Sequence, residues 1–129
     1  MTPILETEYA QLTFEPENGI LKLVWKDNAT SDMYHYVYNR IMDLVKKTEV
    51  KYYLADIRKL HLIAPSDRKW LQSEIIPKLF DLGLEKIAAI VSGDVYMQRH
   101  IAHINQDIEV AKRIKQFGSL EEALRWFKS

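Results

Sequence analysis

Apolar and polar positions alternate early in the chain and then pass through two other periods. Over residues 9–15, Leu12 and Phe14 alternate with Gln11, Thr13 and Glu15, the pattern of a half-buried strand. Over 20–26, Leu21, Leu23 and Trp25 share one face while Ile20, Lys22, Val24 and Lys26 share the other, so the first face belongs in the core. Pro16-Glu17-Asn18-Gly19 separates the two runs, and Asn-Gly accepts positive φ readily, which predicts a β-hairpin. The period then lengthens. Tyr34, Val37, Ile41, Leu44 and Val45 follow helical spacing and predict a helix over 31–47, capped by Thr30 or Ser31.

Residues 51–57 carry a near-continuous apolar run, Tyr53, Leu54, Ala55 and Ile57, as in strands buried on both faces of a parallel sheet. Ser66 then reads as an N-cap, with Asp67 favourably placed in the first turn of a helix. Trp70, Leu71, Ile75, Leu79, Phe80 and Leu82 supply its apolar side, and Gly83 ends it. Pro77 lies inside and predicts a kink near 73–77. Residues 86–91 form the next strand, and the strand–helix–strand unit over 51–92 sets the class as α/β. Met97, Ile101, Ile104 and Ile108 predict a third helix starting near 95. Residues 113–117 read either as a short strand or as the tail of that helix. Ser119 and Glu122 make a capping box for a final helix with Ala123, Leu124 and Phe127 on its buried stripe. The expected topology is ββαβαβαβα, a mixed sheet flanked by helices, in one domain over 1–129.

Composition narrows the classes of function. The chain has no cysteine, which removes disulfides, thiolate metal sites and cysteine nucleophiles. Lys plus Arg number 18 and Asp plus Glu number 18, so no general attraction for nucleic acid or an anionic membrane is expected. The N-terminus shows no signal-peptide pattern and no run is long enough for a membrane span, which predicts a cytoplasmic protein.

Candidate chemistry is sparse. His100, His103 and Asp107 fall on adjacent turns of one helical face, a spacing that suits a metal ion, but equally a polar face opposite Met97, Ile101, Ile104 and Ile108. Gly93 precedes a helix where an anion can sit, or simply closes the loop. No Ser–His–Asp set has supporting local sequence, and His35 and His61 are isolated. Neither a metal, a cofactor nor a catalytic set is therefore expected. Asp56, Arg58 and Ser66 lie at the C-terminal end of a strand and in the loop after it, where open α/β sheets bind ligands. Tyr36 and Tyr38 sit off the main stripe of the first helix. With Tyr34 they either pack their rings flat with wet hydroxyls or face a partner.

ILKLVW, YLADIRKL followed by PSDRKWLQSEIIPKL, LEKIAAIVS and the closing FGSLEEALRWF together resemble the STAS-like family, shared by sulfate transporters and anti-sigma-factor antagonists. The similarity is greatest to small bacterial STAS/SEC14 domain-containing proteins, with the helix carrying Trp70 and Pro77 and the EEALRW ending as its most specific parts. The resemblance implies a non-enzymatic domain acting through a protein partner or self-association, or, as the SEC14 label suggests, through a small apolar ligand. It also implies a phosphorylated Ser at the start of the second helix, which Ser66 matches in position. That branch has Asp before this Ser and Ser-Gly after it, where this chain has Pro65 and then Asp67 and Arg68. The residues expected at a binding or switch site are Asp56, Arg58, Ser66 and Trp70.

Overall fold

The computed structural model describes residues 3–92 and 112–129. The predicted hairpin forms from β2 (Ala10–Glu15) and β3 (Ile20–Trp25), antiparallel with Ala10 opposite Trp25 and Glu15 opposite Ile20. Gly19 closes the turn at φ +68°. Its carbonyl accepts from the backbone N–H of both Lys51 and Tyr52, which ties the turn to the next strand. A Cβ at position 19 would lie 3.0 Å from Lys51 Cγ. Gly19→Ala is therefore expected to cost about 1–2 kcal/mol, from left-handed strain and a displaced Lys51 side chain. Urea titration reads this, and a neutral substitution would contradict the close approach.

One strand precedes the hairpin that the pattern did not predict. β1 (Leu5–Glu6) pairs antiparallel with β2, placing Leu5 opposite Leu12. Two residues are too few to show a period. What holds them is tertiary: Lys26 Nζ reaches Glu6 Oε1 at 2.8 Å, from the end of β3.

From β3 onward the strands are parallel. β4 (Tyr52–Asp56), β5 (Lys86–Ile90) and β6 (Ile114–Phe117) follow it in space as in sequence, giving a six-stranded mixed sheet in the order β1-β2-β3-β4-β5-β6. The ambiguous segment over 113–117 is thus a strand, with Ile114 beside Ile87. The predicted third helix, and with it Gly93, His100, His103 and Asp107, lies outside the described residues.

α1 (Ser31–Lys47) joins β3 to β4, and Thr30 rather than Ser31 caps it, accepting from the Met33 N–H through Oγ1. The second connection begins with α2 (Pro65–Trp70), and here the predicted cap is corrected. Ala64 holds the cap position and Pro65 the first helical one, where its preset φ suits and its missing N–H is not needed. Ser66 therefore lies inside the first turn. The expected kink takes the form of a wider turn: residues Leu71–Ile75 are π-helical, with the Ile76 N–H donating to the Leu71 carbonyl, five residues back. α3 (Ile76–Asp81) follows, with Pro77 in its first turn, and Gly83 ends the connection at φ +111°.

Alternation along the strands divides the core in two. Leu21, Leu23, Trp25, Tyr53, Ala55, Ile87 and Ala89 face the layer of α1, α2 and α3. Ile20, Leu54, Ala88 and Ile90 face the other way, beneath α4 (Leu120–Phe127), whose Ala123 and Phe127 bury against them. Ser119 caps α4 as its capping-box sequence predicts, accepting from the Glu122 N–H. Phe127 stacks on Tyr52 with centroids 4.8 Å apart.

Candidate functional site

Parallel strands joined by helices on one face bring the N-termini of those helices to the same edge of the sheet. Here the first turns of α1 and α2 meet over one buried carboxylate. Asp67, only 6% exposed, accepts from Ser31 Oγ at 2.6 Å through Oδ2 and lies 2.9 Å from His35 Nε2 through Oδ1. The His35 ring stacks on Trp70, centroids 3.8 Å apart and planes 23° apart. Trp70 in turn meets Tyr34 and Tyr38 in edge-to-face contacts. The adjoining loops are tied as well, since Asn28 Oδ1 accepts from the backbone N–H of His61 and of Leu62. Leu62 projects from this loop and is 71% exposed.

The order of the three polar groups decides what they can do. In a nucleophilic triad the imidazole sits between hydroxyl and carboxylate and takes the hydroxyl proton. In this junction the carboxylate sits in the middle, and the Ser31 hydroxyl donates to it directly. The trio is built to pin two helices together, not to activate Ser31.

The four residues expected at one site divide between two faces. Trp70 belongs to the junction on the face covered by α1, α2 and α3, and the exposed Ser66 directly precedes Asp67 in the same turn of α2. Asp56 alternates with Ala55 and so points to the α4 side, where Arg58 grips it with two bonds: Nε to Oδ1 at 3.0 Å and Nη2 to Oδ2 at 2.7 Å. Arg58 also lines an open groove of about 530 Å³ with Val91, Phe117, Gly118 and Glu122.

Burial pushes the Asp56 carboxyl up, but the hydrogen bonds and charge of Arg58, with Lys22 beyond, outweigh it and hold the group below its ordinary range. A depressed folded pKa contributes stability above the unfolded value, about 3.9, and loses it as pH falls through the folded value. Arg58→Met is accordingly expected to flatten the acid limb of the stability profile below about pH 4, while wild type keeps the steeper fall. Parallel urea titrations from neutral pH down to about pH 3 measure the difference, and superimposable acid limbs would contradict it.

The tyrosines correct the expectation of a partner-facing set. Tyr34 and Tyr38 are 4% and 3% exposed, and only Tyr36, at 47%, meets solvent. Nor are the buried hydroxyls wet: Tyr53 donates to Tyr38 Oη at 3.0 Å inside the core. Burial raises the Tyr38 phenol and raises Tyr34 and Tyr53 well above the ordinary value.

Ser31, His35 and Asp67 are the residues that sequence reasoning missed as a set. Each had a local explanation as cap, isolated histidine or dipole partner. Their signal was topological: first-turn residues of consecutive helices on one sheet face are neighbours, although 36 positions separate Ser31 from Asp67. Among the described residues no three His, Asp or Glu side chains converge as a metal site would require.

Neither a family model nor a curated protein matches this sequence. Solved structures do match its shape. The phosphorylated form of the Bacillus cell fate determinant SpoIIAA superposes with a TM-score of 0.64 at 12% identity, over 91% of this chain and 97% of that one. The unphosphorylated form of SpoIIAA, described as an anti-sigma factor antagonist, gives a TM-score of 0.63 at 12% identity, over 92% and 96%. The fold of this chain is therefore STAS-like, a mixed α/β sheet with flanking helices. Among the described residues no helix is long and apolar enough to cross a membrane.

Proposed function

We propose that this chain is a non-enzymatic regulatory domain that binds another protein through the surface where α1 and α2 begin. The observation that carries the reading is the junction itself. Asp67 locks the two helix starts together beneath a loop that exposes Leu62 at 71%. A rigid base under a projecting apolar side chain suits a partner that buries an anchor, because little ordering entropy remains to be lost on binding. The shape shared with an anti-sigma factor antagonist supports a regulatory role, and that protein is known with and without phosphate. Ser66, exposed in the first turn of α2, is the residue at which a phosphate would alter this surface by adding charge beside the junction.

Site-specific photocrosslinking in the host tests this. A photoreactive residue at position 62 or 66 should give one defined protein adduct that the same residue at position 115, on the α4 side, does not. Ser66→Glu should reduce the adduct from position 62. Equal adducts from all three positions, or none, would remove the assignment.

The described core gives no support to a carrier of lipid or another apolar ligand. Such sites occupy roughly 300 Å³ or more. The apolar cavity beside Tyr34, Tyr38 and Tyr53 measures about 60 Å³.

A further inference from the structure

A second surface lies away from the junction, on the outer side of the helical layer. The C-terminal half of α1 and α3 border an open groove of about 460 Å³. Met42 and Ile75 form its apolar floor, and Leu82, 42% exposed, stands at one end. Four exposed charged side chains rim it: Asp43 and Lys46 from α1, Lys78 and Asp81 from the other wall. Among the described residues only Lys78 of these four has an ion pair, a loose one to Glu74 at 3.8 Å.

The arrangement of signs is the informative feature. α1 and α3 each connect parallel strands and pack on the same sheet face, so they run in the same direction. Along α1 the order is acid then base, Asp43 then Lys46. Along α3 it is base then acid, Lys78 then Asp81. Charge therefore alternates around the four corners of the groove. A two-fold axis in the contact plane, perpendicular to the helices, carries each acidic corner onto a basic one. Under that operation Asp43 meets Lys46 of a second copy and Lys78 meets Asp81, while the exposed Leu82 side chains are covered.

We propose that this groove docks a second copy of the chain, with the two α1 helices antiparallel. Antiparallel helices also oppose their dipoles favourably, which selects this axis over one running along the groove. The contact leaves the α1–α2 junction of each copy open, so it stands independently of the partner surface described above. A contact confined to this groove and its rim belongs to the transient class of dimers, whose interfaces bury under about 1,200 Å².

Sedimentation velocity over a concentration series, with charge reversal, is the test. Wild type should show a concentration-dependent monomer–dimer equilibrium. Asp43→Lys should weaken it at least about tenfold, because symmetry places two like-charge contacts in each dimer. Asp43→Lys combined with Lys46→Asp should restore it, since the swapped signs again alternate across the axis. Leu82→Asp should abolish it with the fold retained by circular dichroism. A strict monomer up to about 1 mM would overturn the proposal. A dimer indifferent to Asp43→Lys, or one that the paired swap fails to restore, would overturn it equally.

Discussion

Trp25→Ala is expected to remove about 4 kcal/mol, as for other buried tryptophans cut to alanine. The side chain is 1% exposed at the end of β3 and forms the middle of an aromatic stack. Tyr9 lies on one side at 6.3 Å between centroids, and Tyr34 on the other at 5.7 Å with planes 13° apart. Truncation leaves a void that two strands and α1 cannot fill together, so lost transfer energy and lost packing add. A domain of this size has about 5–15 kcal/mol in total, so the variant should be measurably unfolded at modest urea. Trp25→Phe separates packing from polarity. Among the described residues the buried indole Nε1 makes no hydrogen bond of good geometry, with only the Tyr38 phenol as a weak polar neighbour, so removing it recovers most of its desolvation energy while a ring still fills most of the space. That variant should cost under about 1.5 kcal/mol. If alanine and phenylalanine cost the same, the stack is not what Trp25 contributes.

Asp67→Ala is expected to cost about 1–3 kcal/mol, from losing two hydrogen bonds to a buried carboxylate, while the exposed Ser31 hydroxyl and the part-exposed His35 ring regain water as a partner. Asp67→Asn keeps the shape and one acceptor oxygen and should lose about half as much. The interaction is non-local, so its signature is coupling. Asp67→Ala and Ser31→Ala together should cost less than the sum of the two alone, by about 0.5–1 kcal/mol or more. The readout specific to the junction is the His35–Trp70 stack. The Trp70 indole resonance should shift in Asp67→Ala and stay in place in Arg58→Met, because Arg58 belongs to the other face. Additive costs with an unmoved indole would mean that Asp67 does not hold the two helix starts together.

How much of this was legible differs from residue to residue. Leu21, Leu23 and Trp25 were assigned to the core by alternation alone, and all three are buried. Ser119 was assigned as a cap from Glu122 three positions later, and it caps. Ser66 shows where such reasoning fails. A good cap residue one position after a proline yields to the proline, whose fixed φ selects the first helical position and moves the cap back to Ala64. Tyr38 fails in another way. Helical spacing placed it off the main stripe, but α1 packs beside α2 as well as on the sheet, so its buried arc is wider than one surface requires.

The sequence by itself determined the hairpin, the strands over 52–56 and 86–90, the first, second and final helices, and the parallel βαβ order. Each of these depends on the chemistry of residues a few positions apart and on the handedness that every L-chain shares. Only the tertiary structure decided that Asp67 would join Ser31 to His35. It alone assigned Asp56 with Arg58 to the face opposite Ser66 and Trp70, and held a two-residue strand at the sheet edge. Those outcomes depend on which side chains meet after the chain has crossed over the sheet, and no local period encodes such a meeting.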